Sequence, residues 1–336
     1  MEQEVTLEDY VREDVKKKYK THLETYKKPS KKGVLISLFG IIVCILVFVI
    51  NYFYLGHSSQ IWALIETFVL FGLMPASVVL FFVFGIKYLR KINSFKTNFV
   101  RSLDAAKYYS MELKKQSNGR ITNSGLSYAF DKSIFNLKNR IKGPYRVSVN
   151  DVLIVVIDDH IITYGVVTSY TRIQYSSKKS PTYVPHVQNF VVGNFPNKIE
   201  TPTNLTFAKF KGSLGYNYEK VKLESEEFNQ RVKVQSKDQI LVRKFFTPKK
   251  MNKLLEVTDD KNKAKFQYLL MCDNDLLGEV DPRFARHNVD HSFRKFNLSK
   301  TLSSFVNTIC DKVRLESKDF INILSVLDIL ELFPTD

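Results

Sequence analysis

Gly33 to Leu55 (GVLISLFGIIVCILVFVINYFYL) is a run of 23 residues without a charge. At 1.5 Å per residue a helix of that length measures roughly 35 Å, enough to cross a hydrocarbon core of about 30 Å with some tilt. Ile61 to Ile86 is a second run, of 26 residues, interrupted only by Glu66 and Pro75. A core helix of a water-soluble domain is seldom apolar on every side for six turns, and two in succession are rarer. The two runs therefore predict two membrane spans. A signal peptide fits the first run poorly: the polar stretch before it is long, the run exceeds the about 7–15 apolar residues of such a peptide, and no small-x-small site follows.

The connection between the runs, Gly56-His57-Ser58-Ser59-Gln60, holds no Lys or Arg. Lys27, Lys28, Lys31 and Lys32 stand before the first run, and Lys87, Arg90, Lys91 and Lys96 follow the second. The positive-inside rule then places both termini in the cytoplasm and the short loop outside. Glu66 lies near the outer end of its span, within reach of interfacial water. Pro75 is expected to kink its helix, and Gly72 to help the spans pack closely.

The chain carries 50 Lys and Arg against 34 Asp and Glu, a formal net charge of +16. Alone, that balance suggests nucleic acid or an anionic membrane. Its distribution decides between them. Residues 1–14 sum to −5, residues 15–32 to +7, residues 87–150 to +11 and residues 151–336 to only +4. The excess flanks the apolar runs, where anionic headgroups attract each basic side chain by about 1 kcal/mol. Lys16, Lys17, Lys18, Lys27, Lys28, Lys31, Lys32, Lys87, Arg90 and Lys91 are the expected lipid-facing basic residues. Nucleic acid is an unnecessary partner. The three cysteines, Cys44, Cys272 and Cys310, share no short spacing, which excludes a disulfide scaffold or a Cys-rich zinc site.

Leu7, Val11, Val15, Tyr19 and Leu23 recur at four-residue steps, predicting a helix over Leu7 to Tyr26. After the second run, Ile92, Phe95, Phe99, Leu103, Ala106 and Leu113 recur at helical spacing up to Ser117-Asn118-Gly119, as a packed juxtamembrane helix or a short coiled coil. A helix-like patch covers Ser127 to Asn139. Strands are then expected at Val152 to Ile157 and Ile161 to Thr168, joined by a turn at Asp158-Asp159-His160. Further strands are expected at His186 to Val192, after a loop from Ser176 to Pro185, and at Val221 to Leu223 and Phe266 to Cys272. Ser236 with Gln239 reads as a capping box for a helix over Lys237 to Phe246. Thr247-Pro248 reads as N-cap and first position of a helix over Lys249 to Val257. Helices over Leu298 to Val313 and Asp319 to Leu332 close the chain.

The stretch Val221 to Val257 (VKLESEEFNQRVKVQSKDQILVRKFFTPKKMNKLLEV) holds a Leu223-Glu224-Ser225 run, Phe228, Lys233-Val234, Ser236, Asp238, Arg243, Thr247-Pro248 and Met251 to Leu255. In this order it resembles the uncharacterised bacterial two-span membrane family catalogued as domain of unknown function 3137. Val232, Val242 and Lys244 depart from the family pattern. The likeness implies a two-span start and an α+β domain, and no established activity. Phe228, Val234 and Met251 read as core, Ser236 and Thr247 as caps with Pro248 as the first helical position, and Arg243 as an ion-pair partner of Glu224 or Asp238, or an anion ligand.

No phosphate-binding Gly-rich loop, His-Glu-x-x-His helix or Gly-x-Ser-x-Gly elbow occurs. His287 and His291, one helical turn apart with Asp290 beside them, have the only metal-like spacing, and a zinc ion would need further ligands such as Asp281 or Cys272. A polar surface loop is the simpler reading. No cofactor, metal or catalytic residue is expected. The organisation read from the chain is a cytoplasmic arm at 1–32, spans at 33–55 and 61–86 around an outer loop at 56–60, a basic juxtamembrane helix at 87–119, and an α+β cytoplasmic domain at 120–336. The fold class is thus an α+β cytoplasmic domain on an N-terminal two-helix transmembrane hairpin. The expected role is a binding or scaffold domain held at the inner leaflet of the cell membrane. Its partners would be anionic lipid, a membrane or cytoplasmic protein, or a second copy. A membrane-tethered enzyme without a motif and an accessory subunit of a transport complex are the alternatives.

Overall fold

The computed structural model describes residues 5–26, 30–50, 64, 67–127, 146–149, 152–174, 180–195, 202–207, 218–259, 266–272, 275–280 and 302–332. The loop at 56–60, Glu66, and most of the helix-like patch after Ser127 lie outside them. The chain divides into two units, Asp14–Leu103 and Met1–Glu13 with Asp104–Asp336.

In the unit Asp14–Leu103, the later part of α1 (Leu7–Thr25) and all of α2 (Lys32–Ile50) pack along α3 (Met74–Ser102). Gly33 lies against Phe84 and Gly40 against Ser77, so α2 and α3 run antiparallel. Gly33, Ser37, Gly40 and Cys44 form a small-residue face on α2, with Ser37 and Cys44 buried. Small side chains let two helices approach closely enough for backbone-level contact. The other faces of α2, and of α3 before Lys87, are apolar and uncovered: Ile36 is 71%, Phe39 68% and Phe82 60% exposed. A π-helical turn, Val69–Leu73, precedes α3. Pro75 near the start of α3 explains it, because proline donates no hydrogen bond and its ring displaces the carbonyl of the preceding turn.

The four-residue stripe of α1 holds only part of the way. Each step of four overshoots a 3.6-residue turn by about 40°, so the stripe rotates outward along the helix. Leu7, Val11 and Val15 are buried, Leu23 is exposed, and His22 takes the inward position. The helix expected over 87–119 is divided. α3 ends at Leu103 in extended conformation, and Asp104 caps α4 (Ala105–Gln116) by accepting from the amide of Lys107.

The second unit is an α+β fold around one antiparallel sheet of ten described strands: β1 (Ile121–Ser127), β2 (Arg146–Val149), β3 (Val152–Ile157), β4 (His160–Ile173), β5 (Thr182–Asn194), β6 (Thr203–Phe207), β7 (Glu219–Val221), β8 (Val232–Ser236), β9 (Phe266–Cys272) and β10 (Asp275–Val280). The order is β1-β3-β4-β5-β10-β9-β6-β8-β7, with β2 alongside β4. Asp158 and Asp159 both have positive φ (46° and 64°), and Ile157 pairs with His160. That is the primed two-residue hairpin, whose twist suits the flanking strands. Expected strands shift where pairing demands it. β5 starts at Thr182, taking in the end of the expected loop, and Pro185 pairs with Tyr170. β7 is Glu219–Val221 rather than Val221 to Leu223.

Val152, Val167, Phe190, Val192, Tyr268, Leu270 and Leu277 form a core cluster on one sheet face. Tyr164, on the other, meets Phe320 of α8 (Leu302–Ile329) at 6.1 Å between ring centroids. α8 replaces the two helices expected near the C-terminus. No Gly or Pro lies between Val313 and Asp319, and Glu316 and Ser317 there are buried rather than looped out.

Candidate functional site

The stretch that carries the family likeness builds three short helices around β8. Ser225 caps α5 (Glu226–Arg231), accepting from the amide of Phe228 at 3.2 Å. Asn229 closes the same turn, accepting from the Leu223 amide and donating to its carbonyl. Asp238, not Ser236, caps α6 (Gln239–Phe245), with Oδ1 accepting from the amides of Ile240 and Leu241 at 2.9 and 3.0 Å. Ser236 instead ends β8 fully buried and donates to the Pro202 carbonyl at 2.8 Å. A carboxylate at 238 can take both free amides of the first turn, which a hydroxyl two residues earlier cannot. Thr247 accepts from the Lys250 amide at 3.4 Å, and Pro248 opens α7 (Pro248–Asp259). Phe228, Val234 and Met251 are buried, with Phe228 6.0 Å from the Phe246 ring. Arg243 is exposed and, among the described residues, makes no ion pair with Glu224 or Asp238.

Three charged or polar constellations lay hidden in the sequence. The first is Glu316, buried on α8. Tyr109 of α4 donates its phenol proton to Glu316 Oε2, and Lys312 Nζ stands 3.6 Å from Oε1. A buried carboxylate is tolerable only when donors and an opposite charge surround it. Tyr164 lies in the same layer. Burial first, then the carboxylates of Asp319 and Glu316, push its phenol far up, so it holds its proton at any neutral pH. Burial likewise raises the Cys310 thiol to about 11, so it is neither thiolate nor nucleophile under ordinary conditions.

The second is Arg120 at the start of β1. It grips Asp328 of α8 through two nitrogens at 2.8 and 2.9 Å, and Asp158 of the hairpin turn through Nε at 3.2 Å. The hydrogen bond to Asp328 holds the guanidinium charged against a modest burial penalty. The third is His22 in the other unit. Its Nε2 lies 3.0 Å from the Phe95 carbonyl, with the rings of Phe95 and Tyr26 at 4.5 and 4.6 Å. A carbonyl only accepts, so Nε2 carries the proton. A polar residue on the inward stripe of an apolar helix, Glu316 between Val313 and Phe320, was the signal available.

Among the expected lipid-facing residues, Lys16, Lys17, Lys31, Lys32, Lys87, Arg90 and Lys91 are exposed, and Lys18 is tied to Asp14 at 3.0 Å. Lys27 and Lys28 lie outside the described residues, as do His287, His291, Asp281 and Asp290. Among the described residues no group of three or more His, Cys, Asp or Glu gathers as a metal site.

The family likeness has an independent counterpart. Residues 189–323 match the family described as Protein of unknown function (DUF3137). The DUF3137 stretch runs from the middle of β5 into α8, so it takes in the helices around β8 and leaves α2 and α3 outside. No curated protein matches the chain. Among solved structures, the crystal structure of the mycobacterial trehalose monomycolate transport factor A, TtfA, is similar at 10% identity and a TM-score of 0.32. It covers 69% of this chain and 97% of its own.

Proposed function

We propose that the chain is an integral membrane protein in which α2 and α3 form a two-span hairpin and hold the α+β unit at the cytoplasmic face as a binding or scaffold module. The observation that carries this reading is the exposure of apolar side chains around both helices, Ile36, Phe39, Val79 and Phe82 among them. In water, two helices so clothed would present an apolar patch far beyond what a soluble protein tolerates. In lipid they need only pack against each other, which the small-residue face of α2 allows. The length of α3 fits too. Its 29 residues span roughly 44 Å, longer than a hydrocarbon core of about 30 Å, and it turns basic from Lys87 onward. Lys31, Lys32, Lys87, Arg90 and Lys91 then stand at the inner headgroups.

The binding role, rather than a catalytic one, is supported by the chemistry of the groups described. Burial keeps Tyr164 and Cys310 protonated, and the buried Glu316 accepts from Tyr109, a contact that joins α8 to α4. Alkaline extraction of membranes from cells making the full chain tests the anchor: the chain stays with the lipid pellet. Its release into the alkaline supernatant would contradict the reading.

A further inference from the structure

Residues 151–336 sum to only +4, but that charge is not evenly spread. Residues 232–255 hold seven basic residues and one acid, Asp238. That acid is already engaged with the amides of α6. On α6, Val242 and Phe246 point inward and are buried. The opposite face carries Ile240, Arg243 and Lys244, at positions i, i+3 and i+4, all exposed, with exposed Lys237 just before the helix. Ile240 is 68% exposed, with Lys237, Arg243 and Lys244 three or four residues along the chain from it. Acids do occur at the margins. Glu219 binds Gln239 at 2.8 Å, and Glu331 is held by Lys250 at 2.8 Å.

We propose that the Lys237, Ile240, Arg243 and Lys244 face of α6 is a second, peripheral contact with anionic lipid headgroups. The three cations supply attraction to phosphate, and Ile240 supplies an apolar tip for the headgroup layer, the combination found on surface-seeking amphipathic segments. The proposal rests on the membrane anchor proposed above: a tethered domain meets the bilayer at high effective concentration, so a patch this small suffices. Charge complementarity and the bare aliphatic tip favour a bilayer over an acidic protein, which would more often cover such a tip with a pocket.

The test uses the full chain in lipid nanodiscs, either neutral phosphatidylcholine or about one third phosphatidylglycerol. Brief acetylation of lysines followed by mass spectrometry reads each site. Lys237 and Lys244 are expected to react roughly threefold or more slowly in anionic discs than in neutral ones, while exposed Lys318 of α8 reacts equally in both. The difference should vanish at about 0.5 M salt, where screening is short-ranged, and in Ile240→Asp, an exposed substitution that leaves the core untouched. Equal rates at Lys237 and Lys244 in the two disc types overturn the proposal and leave the patch to an acidic protein. Equal slowing in both types also overturns it, since headgroup charge would then play no part. A chain recovered outside the discs refutes the anchor instead, a result read from disc recovery and not from lysine chemistry.

Discussion

The apolar side chains of α8 turn to one side, meeting α4, α7 and the layer beneath Tyr164, while those of α2 point in every direction and meet a neighbour on one narrow face. Both helices are long, and neither contains proline. The difference is angular. In α8 charged residues such as Asp311, Arg314 and Lys318 occupy the outer face, so burying one stripe satisfies the helix in water. In α2 no charge follows Lys32, so its uncovered faces fit the apolar solvent that the proposed membrane span would give them.

Changes that exchange these two situations should have opposite results in the two helices. The largest effect is expected in α8. Phe320→Ala removes a fully buried ring and should cost about 3–5 kcal/mol of stability in the α+β unit, read as a lower urea midpoint for the full chain in nanodiscs. Next comes charge on the outer faces of the apolar pair. Phe39→Lys with Phe82→Lys should each cost about 2.5–3.5 kcal/mol of membrane insertion and deplete the chain from the membrane fraction. Were those faces in water, such surface changes would be worth only about ±0.5 kcal/mol. Undiminished membrane recovery would point to that case.

A smaller effect should follow from thickening the contact between the apolar helices. A side chain at Gly40 would begin 3.1 Å from Ser77 Oγ. Gly40→Leu should therefore weaken the pairing by about 1–3 kcal/mol, seen as a lower melting temperature in detergent. The smallest is a pH effect confined to the α+β unit. The hydrogen bond from Lys250, helped by its charge and those of Lys249 and Lys253, holds the Glu331 carboxyl below its ordinary pKa. A carboxylate lowered on folding contributes stability that is complete above the unfolded value of about 4.3 and disappears as pH falls through the lower folded value. Glu331→Gln should thus lower the melting temperature slightly at pH 6, and the difference should shrink as pH falls through the acid range.

Much of this architecture was legible because its signals are local. The apolar runs need only counting, the Asp158-Asp159 turn needs only two residues that tolerate positive φ, and Thr247-Pro248 announces a helix start without knowledge of its neighbours. Where partners decide, the sequence was opaque. β10 (DLLGEV) reads as a polar, glycine-broken stretch. It is a central strand because Gly278 fits beneath Leu269 and Phe266, where a Cβ would come within 2.7 Å of each. β1 (ITNSGLS) carries no alternation and is a strand through its pairing with β3. Asp238 displaced Ser236 as the cap because β8 runs to Ser236 to meet Thr203, and the helix can start only after it. Glu316 is one charge among several on a helical stretch, and only the fold brings Tyr109 and Lys312 to it.

The central claim is that α2 and α3 cross a membrane as a hairpin with both outer ends on the cytoplasmic side. Labelling intact cells with a membrane-impermeant maleimide tests it most directly, comparing Ser58→Cys in the connection with Ser30→Cys before α2 and Asn252→Cys on α7. The account predicts that Ser58→Cys alone is labelled from outside and that the other two react only after the cells are opened. Labelling of Ser30→Cys or Asn252→Cys in intact cells, or protection of all three, would contradict it.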